Sequence, residues 1–137
     1  MSRGIGAYAN KMHEDDLTVT YEYGGYNLNQ LEYMNENHLC DGRITITKIC
    51  FAEPEIHKKL KKMPSGRKKE IIKRVPVSVK YDQMIKDGLI IVENCSNCWK
   101  VTDDTRHTDI MVLHILFYLF EQYQEDGVIP QFIDYNV

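Results

Sequence analysis

The chain contains one pair of cysteines whose spacing could support chemistry, Cys95-x-x-Cys98. Two thiolates at this spacing can hold one side of a tetrahedral zinc ion or form a redox-active disulfide. Zinc needs a second pair of ligands, and Cys40 and Cys50 do not have the spacing of a zinc knuckle. A redox pair opens a helix, whereas Trp99-Lys100-Val101 follows here and the predicted helix starts several residues later. We therefore predict a structural or incidental pair, keep zinc and redox activity as alternatives, and assign no metal ligand and no cofactor.

A second set of candidate residues recurs every seven positions: His107, His114 and Glu121. On a helix, neighbours in this series share a face but lie about 10 Å apart, too far for one metal ion or one proton relay. The spacing therefore predicts a polar seam. The sequence contains no nucleophile elbow, phosphate loop, dinucleotide fingerprint or HExxH motif. We assign no catalytic residue, and the sequence gives no positive case for an enzyme.

Charge is strongly segregated along the chain. The segment from Lys58 to Arg74 holds nine basic residues and one acid, a net charge of +8, whereas the rest of the chain carries −11. Such asymmetry indicates charged partners. Lys61, Arg67 and Lys68 are candidate phosphate contacts for a nucleic acid. The segment has no aromatic residue on which single strands could stack, and a solvated surface or an acidic protein partner are the alternatives.

The region from Tyr21 to Asn37 is rich in tyrosine and asparagine. Protein-binding loops use this composition, because tyrosine supplies rigid contact area and asparagine supplies adaptable hydrogen bonds. The candidate binding residues are Tyr23, Tyr26, Asn27 and Asn29. The alternative is that the tyrosines pack a sheet and the asparagines form turns.

Hydrophobic periodicity predicts the elements that position these residues. Residues alternate in polarity within Leu17 to Tyr23 and Arg43 to Phe51, which indicates half-buried strands. Gly24-Gly25 ends the first of them, and Tyr26 to His38 is predicted as a loop. Ile56, Leu60 and Met63 fall on one helical stripe. The predicted strands are Gly4 to Ala9, Leu17 to Tyr23, Arg43 to Phe51, Lys69 to Val79 and Leu89 to Val92, with Gln131 to Val137 as a last strand or an ordered tail. Pro76 makes Lys69 to Val79 an edge strand. The predicted helices are Glu53 to Met63, Tyr81 to Asp87 and Asp104 to Asp126.

This order predicts one α+β domain over residues 1–137, with a mainly antiparallel sheet packed against a long C-terminal helix and one or two short helices. The longest apolar stretch, Ile110 to Phe120, is too short for a bilayer, so no membrane partner is expected. The absence of an export signal predicts a cytoplasmic protein with reduced thiols.

The charge segregation and the Tyr/Asn composition favour a small intracellular protein-binding module, of the type of inhibitor or immunity proteins. Nucleic-acid binding through the basic segment is the first alternative, and a zinc or redox role for Cys95 and Cys98 is the second. The C-terminal helix is apolar around most of its circumference, so a second subunit could cover it as well as the sheet does.

Overall fold

A five-stranded antiparallel sheet forms the centre of the structure, a computed structural model that describes residues 4–75, 77–104 and 106–136. Its strand order is β6-β3-β2-β1-β7, and β4 and β5 form a separate two-stranded ribbon. The predicted α+β class with a mainly antiparallel sheet and a long C-terminal helix is confirmed. The described strands and helices are β1 (Ile5–Glu14), β2 (Thr18–Asn27), β3 (Gly42–Thr47), β4 (Glu55–Lys62), β5 (Lys68–Val75), α1 (Tyr81–Lys86), β6 (Ile90–Glu93), α2 (Ile110–Asp126) and β7 (Phe132–Asn136).

The hydrophobic core lies between one face of the sheet and α2. Alternation along β2 turns Val19, Tyr21 and Tyr23 towards the helix, and all three are fully buried. The helix contributes Ile115 and Leu119 to the same core. On the other face of the sheet, Gly24 lies against Leu39 of the loop of residues 28–41.

The helix α2 begins later than predicted, at Ile110 rather than at Asp104. Asp109 is its N-cap and accepts a hydrogen bond from the Met111 backbone N–H, while Gly127 ends it in the left-handed conformation with φ of 74°. His107, with φ of 46°, precedes the helix. The prediction that His107 shares a helical face with His114 and Glu121 is therefore wrong.

Two glycines that were predicted to end a strand lie inside β2 instead. The strand continues through Gly24-Gly25 to Asn27, which corrects the predicted loop beginning at Tyr26. Gly24 faces the open side of the sheet, where a Cβ atom would lie 2.1 Å from the Leu39 carbonyl oxygen. The absence of a side chain allows the loop of residues 28–41 to rest directly on the sheet.

The largest correction concerns the basic segment. Residues Glu53 to Met63 do not form the predicted helix; Glu55–Lys62 is strand β4, paired antiparallel with β5. The second strand covers Lys68–Val75 rather than Lys69 to Val79, and Pro76 lies outside the described residues. A tight turn joins the strands, with Gly66 at φ of 85° and a 2.7 Å hydrogen bond from the Met63 N–H to the Arg67 carbonyl.

The remaining strands differ from prediction mainly at their ends. β1 is longer than Gly4 to Ala9, and β3 stops at Thr47, where the predicted strand to Phe51 gives way to a 3₁₀ turn. A second 3₁₀ turn covers Leu31–Tyr33. Neither helix in the described part of the chain combines the length and the apolarity that crossing a membrane requires.

Candidate functional site

The basic segment forms a ribbon that stands clear of the core. All eight residues of β4 and seven of the eight residues of β5 are exposed. At about 3.3 Å per residue, each strand extends about 26 Å. The ribbon therefore presents its charge of +8 to solvent on both faces.

Apolar side chains are exposed among the lysines of the ribbon. Cross-strand register places Lys58 opposite Ile72 and Leu60 opposite Glu70, so one face alternates cations with aliphatic groups. Leu60 is 66% exposed and Ile72 60%. These two side chains leave apolar surface in contact with solvent beside the lysines.

Lys61, Arg67 and Lys68, which the sequence analysis predicted as phosphate contacts, lie together at the free end of the ribbon. Lys61 and Lys68 belong to the last two cross-strand pairs, with Lys69 and Lys62 respectively. Arg67 lies in the turn that joins the strands. Within the ranges that the structure describes, none of the three forms an ion pair, so their charges are not neutralised by the protein.

The base of the ribbon is anchored to the C-terminal half of α2. The buried Gln124 side chain accepts a 2.6 Å hydrogen bond from the Val77 N–H and donates a 2.9 Å bond to the Val77 carbonyl. Before β4, the Tyr123 hydroxyl donates to the Glu53 carboxylate at 2.6 Å. The ring of Phe51 packs edge-on against Tyr123, with centroids 5.1 Å apart. These contacts fix where the ribbon leaves the body.

A second candidate site is a cavity of about 740 Å³ on the open face of the sheet, which we call the open-face cavity. Strands β1, β2 and β7 form its floor, and the loop of residues 28–41 forms one wall. The lining residues are Tyr8, Asn10, Tyr26, Leu28, Met34, Asn35, Glu36, His38, Cys40, Phe132, Asp134 and Asn136.

The floor of the open-face cavity depends on a glycine. The Tyr26 side chain crosses over Gly6 of β1, and its hydroxyl donates a hydrogen bond to the Asn136 side-chain oxygen on β7. A Cβ atom on Gly6 would lie 2.5 Å from the Tyr26 hydroxyl oxygen. The Tyr8 ring stacks with Tyr26 at a centroid separation of 6.3 Å and an interplanar angle of 25°.

The wall of the open-face cavity is organised by Asn35. Its side-chain amide nitrogen lies 2.8 Å from the Tyr8 hydroxyl and 3.1 Å from the carbonyl oxygens of Gly25 and Leu39, and its oxygen accepts from the Leu39 N–H at 2.8 Å. Asn35 and His38 both have φ of 52°, a conformation that non-glycine residues seldom adopt. Such residues cluster at functional sites, where the surrounding contacts hold them in place.

Burial affects the tyrosines of this cavity. It raises the pKa of Tyr8 to about 12, assisted by the nearby Cys40 and Cys95 thiols. Burial also raises the pKa of Tyr26, and the Asp134 carboxylate adds to that shift because a tyrosinate would lie close to a negative charge. Both hydroxyls are consequently protonated at neutral pH.

The structure separates the four tyrosine and asparagine residues that the sequence nominated. Tyr26 lines the open-face cavity, and Asn29 is exposed just beyond β2. Tyr23 is 0% exposed within the core, and Asn27 is buried, its side chain accepting a hydrogen bond from the Asn29 N–H at 3.0 Å. Tyr23 shares the parity of Val19 and Tyr21 along β2, which was the sequence signal for its burial. The nomination did not include Tyr8, whose neighbours in the chain give no comparable indication of a site.

The Cys95 and Cys98 thiols lie near a buried carboxylate. The Asp109 side chain, 1% exposed, accepts hydrogen bonds from the Tyr23 hydroxyl at 3.0 Å and from the Cys95 thiol at 3.5 Å. Burial and the Asp109 charge raise the pKa of Cys95 to about 11 and of Cys98 to about 12. A raised pKa reduces the thiolate fraction that redox chemistry requires.

All four cysteines are free thiols. Across residues 4–75, 77–104 and 106–136, no group of three or more His, Cys, Asp or Glu side chains is placed to hold a metal ion.

Comparison with known proteins gives no family for the chain: no family model matches it, and neither a curated protein nor a solved structure is significantly similar to it.

Proposed function

We propose that the protein binds duplex nucleic acid through the basic ribbon formed by β4 and β5. The observation that carries the proposal is a net charge of +8 on the segment from Lys58 to Arg74, which comprises most of two strands that are exposed along almost their whole length and the turn between them. Lysine and arginine side chains that neutralise phosphates release counterions from the duplex, and this release supplies most of the affinity of non-specific binding.

The shape and composition of the ribbon favour duplex DNA. The major groove of B-form DNA is about 12 Å wide and admits a two-stranded β-ribbon. In A-form RNA that groove is deep and narrow, so side chains do not reach the base edges. The segment from Lys58 to Arg74 has no aromatic ring for stacking, which disfavours single strands.

The acidic remainder of the chain does not prevent this interaction. Its charge of −11 repels a polyanion, but that repulsion decays over a Debye length of about 10 Å at 0.1 M salt. The free end of the ribbon, with Lys61, Arg67 and Lys68, lies about 26 Å from its base. The cations at the tip are therefore screened from the body.

Fluorescence anisotropy with a labelled 20-base-pair duplex, measured from 50 to 200 mM salt, tests the proposal. We expect a Lys61→Ala, Arg67→Ala, Lys68→Ala variant to bind more weakly and its slope of log K against log salt to be shallower by about 2.7, since each phosphate contact contributes about 0.9. The matched control removes three cations outside the ribbon, in Lys80→Ala, Lys86→Ala, Lys100→Ala.

Two results would overturn the proposal: no binding of duplex DNA at 50 mM salt, or an equal loss in the ribbon variant and in the control. A single strand of the same length should bind less tightly than the duplex. Equal or tighter binding of the single strand would contradict the assignment of a duplex partner.

A second candidate function is binding of a protein partner by the loop of residues 28–41, and a separate observation favours it. Leu28, Leu31 and Leu39 are all at least half exposed on this loop, with Leu31 88% exposed. Of the Tyr/Asn set, Asn29 belongs to this loop and Tyr26 lies near the end of β2, just before it. An affinity pull-down should lose its specific partner in a Leu31→Glu variant and keep it in Leu17→Glu, a change of another largely exposed leucine, which lies outside the loop. Identical partner lists would contradict this candidate.

We also propose a cytoplasmic location, which the four free thiols support because reducing compartments keep cysteines unpaired. Fractionation of the source cells would test it. A homo-oligomer that buries the exposed Phe117 and Tyr118 of α2 is a further proposal. A monomeric sedimentation coefficient at 100 μM would contradict that arrangement.

A further inference from the structure

We propose that the open-face cavity binds an organic cation of the alkylammonium class, with a quaternary ammonium group as the best fit. This site is separate from the basic ribbon, and the proposal does not depend on nucleic-acid binding. It rests on the charge of the cavity, its aromatic lining and its preformed wall.

The charge of the cavity selects for a cation. Two of its twelve lining residues are acidic, Glu36 and Asp134, and none of the twelve, all within the described ranges, is lysine or arginine. Neither the Glu36 nor the Asp134 carboxylate forms an ion pair with any residue that the structure describes. Both negative charges are therefore available to a ligand, and they attract a cation and repel an anion.

Aromatic rings line the same cavity. Tyr8 and Tyr26 stack on the floor, the His38 ring lies 5.7 Å from Tyr8, and Phe132, 49% exposed, borders the same space. Cations are attracted to aromatic faces within about 6 Å of the ring centroid, and quaternary ammonium groups are recognised in this way. Tyr8 and Tyr26 stay protonated at neutral pH. The carboxylates of Glu36 and Asp134 are then the only anionic groups among the twelve lining residues.

Asp134 is placed to act together with the rings. It lies opposite Tyr8 in the register of β1 and β7, and its charge is felt at the Tyr26 hydroxyl. One cation above this part of the floor would contact a carboxylate and two aromatic side chains at once. The volume of about 740 Å³ is within the range of small-molecule sites and exceeds one ammonium group, so the remaining space accommodates its substituent.

The cavity is preformed, which lowers the entropic cost of binding. The Asn35 amide ties the wall to Tyr8 and to the Gly25 and Leu39 carbonyls, and Gly6 lets Tyr26 lie across β1 to reach Asn136. These contacts hold the rings in position without a ligand.

The experiment compares two molecules of nearly the same shape that differ in charge, choline and 3,3-dimethylbutan-1-ol. Each is titrated up to 50 mM into the ¹⁵N-labelled full chain, and amide shifts of β1, β7 and residues 28–41 are followed by NMR. We expect saturable shifts with choline and at least about tenfold weaker binding of the neutral alcohol, since the alcohol lacks the cation–π and carboxylate attractions.

Variants connect the effect to named groups. Asp134→Asn should weaken choline binding about tenfold, and Phe132→Leu about fivefold, because the first removes charge and the second an aromatic face at a surface position. Asp82→Asn, which removes an exposed acid on α1, is the matched control and should leave binding unchanged. A peptide with one trimethyllysine, titrated beside its unmodified form, decides whether the group is carried by a protein side chain or by a small molecule.

Three outcomes would overturn the proposal. They are no shift in these segments with either choline or the trimethyllysine peptide, equal affinity for choline and the alcohol, and equal weakening by Asp134→Asn and Asp82→Asn. Thermal melts of each variant accompany the titrations, so that a folding defect is distinguished from a loss of binding.

Discussion

At the scale of single residues, Asp109 connects three parts of the molecule. Its carboxylate caps α2 at the Met111 N–H, accepts the Tyr23 hydroxyl from the sheet and accepts the Cys95 thiol from the loop after β6. The Tyr23 hydroxyl in turn accepts the Cys95 N–H at 2.9 Å. A buried carboxylate is tolerated when it has several donors, so this cluster accounts for Cys95 as a structural residue.

The raised pKa values of the thiols predict a dependence of stability on alkaline pH. The unfolded thiols ionise near pH 9, whereas Cys95 and Cys98 in the fold do so near 11 and 12, so the unfolded state releases protons first as the pH rises. Stability is complete below pH 8 and is lost progressively above pH 9. After a discount for solvent screening, we expect the free energy of unfolding to fall by about 1–2 kcal/mol between pH 8 and pH 10.

Urea denaturation at pH 8, 9 and 10 measures this loss. Cys98→Ala should lose less stability over the same interval than the wild type, since one of the thiols with a raised pKa is gone. A pH profile that is flat, or that is as steep in the variant as in the wild type, would contradict the assignment of these shifts.

At the scale of elements, the ribbon depends on its attachment to α2. A two-stranded hairpin is marginally stable in water by itself. Gln124 forms two hydrogen bonds with the Val77 backbone, at 2.6 and 2.9 Å, two residues after the end of β5. They pair the N–H and the carbonyl that a neighbouring strand would pair within a sheet. The helix thus fixes the exit of a ribbon whose own residues bury almost nothing.

Removing this attachment should loosen the ribbon. We expect Gln124→Ala to lower the free energy of unfolding by about 1–3 kcal/mol, because the Val77 N–H and carbonyl lose their partner in a partly buried setting. Amide hydrogen exchange at Val77 and in β5 should accelerate. The control is Gln122→Ala on the exposed side of the same helix. If the hydrogen-exchange protection of Val77 is unchanged in the Gln124 variant, the Gln124–Val77 hydrogen bonds are not what holds the ribbon in place.

The sequence predicts elements well where burial constrains the pattern. The alternation of Val19, Tyr21 and Tyr23 predicted both the strand and its buried face, and Gly127 correctly marked the end of α2. Strand β4 was predicted as a helix because no face of it is buried, so Ile56 and Leu60 could fall on a helical stripe without packing as one, whereas β5 was predicted as a strand with other bounds. Cross-strand pairing with β5 decides the structure of β4, and periodicity within one segment does not report on pairing.

The open-face cavity could not be predicted for a related reason. Its residues come from β1, β2, β7 and the loop, and they meet only through strand register and the Asn35 contacts. The composition of the Tyr/Asn region indicated Tyr26 but could not distinguish it from Tyr23. Tyr23 and Tyr26 have opposite parity along β2, so Tyr23 faces the core and Tyr26 lies on the floor of the cavity.

At the scale of the whole molecule, charge and stability reside in different parts of the chain. The ribbon carries the +8, whereas the core is built from the five-stranded sheet and α2. This separation predicts that the ribbon can be removed without unfolding the body. Glu55 and Val75 face each other in register, so a two-residue Asn-Gly turn can connect them in place of residues 56–74.

We expect this shortened chain to fold with a free energy of unfolding within about 1 kcal/mol of the full chain, because the excised residues are nearly all exposed. It should bind no duplex DNA and should bind choline as the full chain does. Far-ultraviolet circular dichroism and urea titration measure the fold. An unfolded product would show that the ribbon contributes to the body, contrary to the burial pattern.

The position of the ribbon within the strand order has a consequence for proteolysis. The segment before the ribbon supplies β1, β2 and β3, and the segment after it supplies β6, α2 and β7, yet β6 pairs with β3 and β7 with β1 at opposite edges of one sheet. Trypsin cleaves after lysine and arginine, so we expect it to cut first in the exposed ribbon. A chain nicked there would remain assembled as two interlocked fragments, so the tip of the ribbon is a natural point at which to split the protein and recover it by fragment complementation.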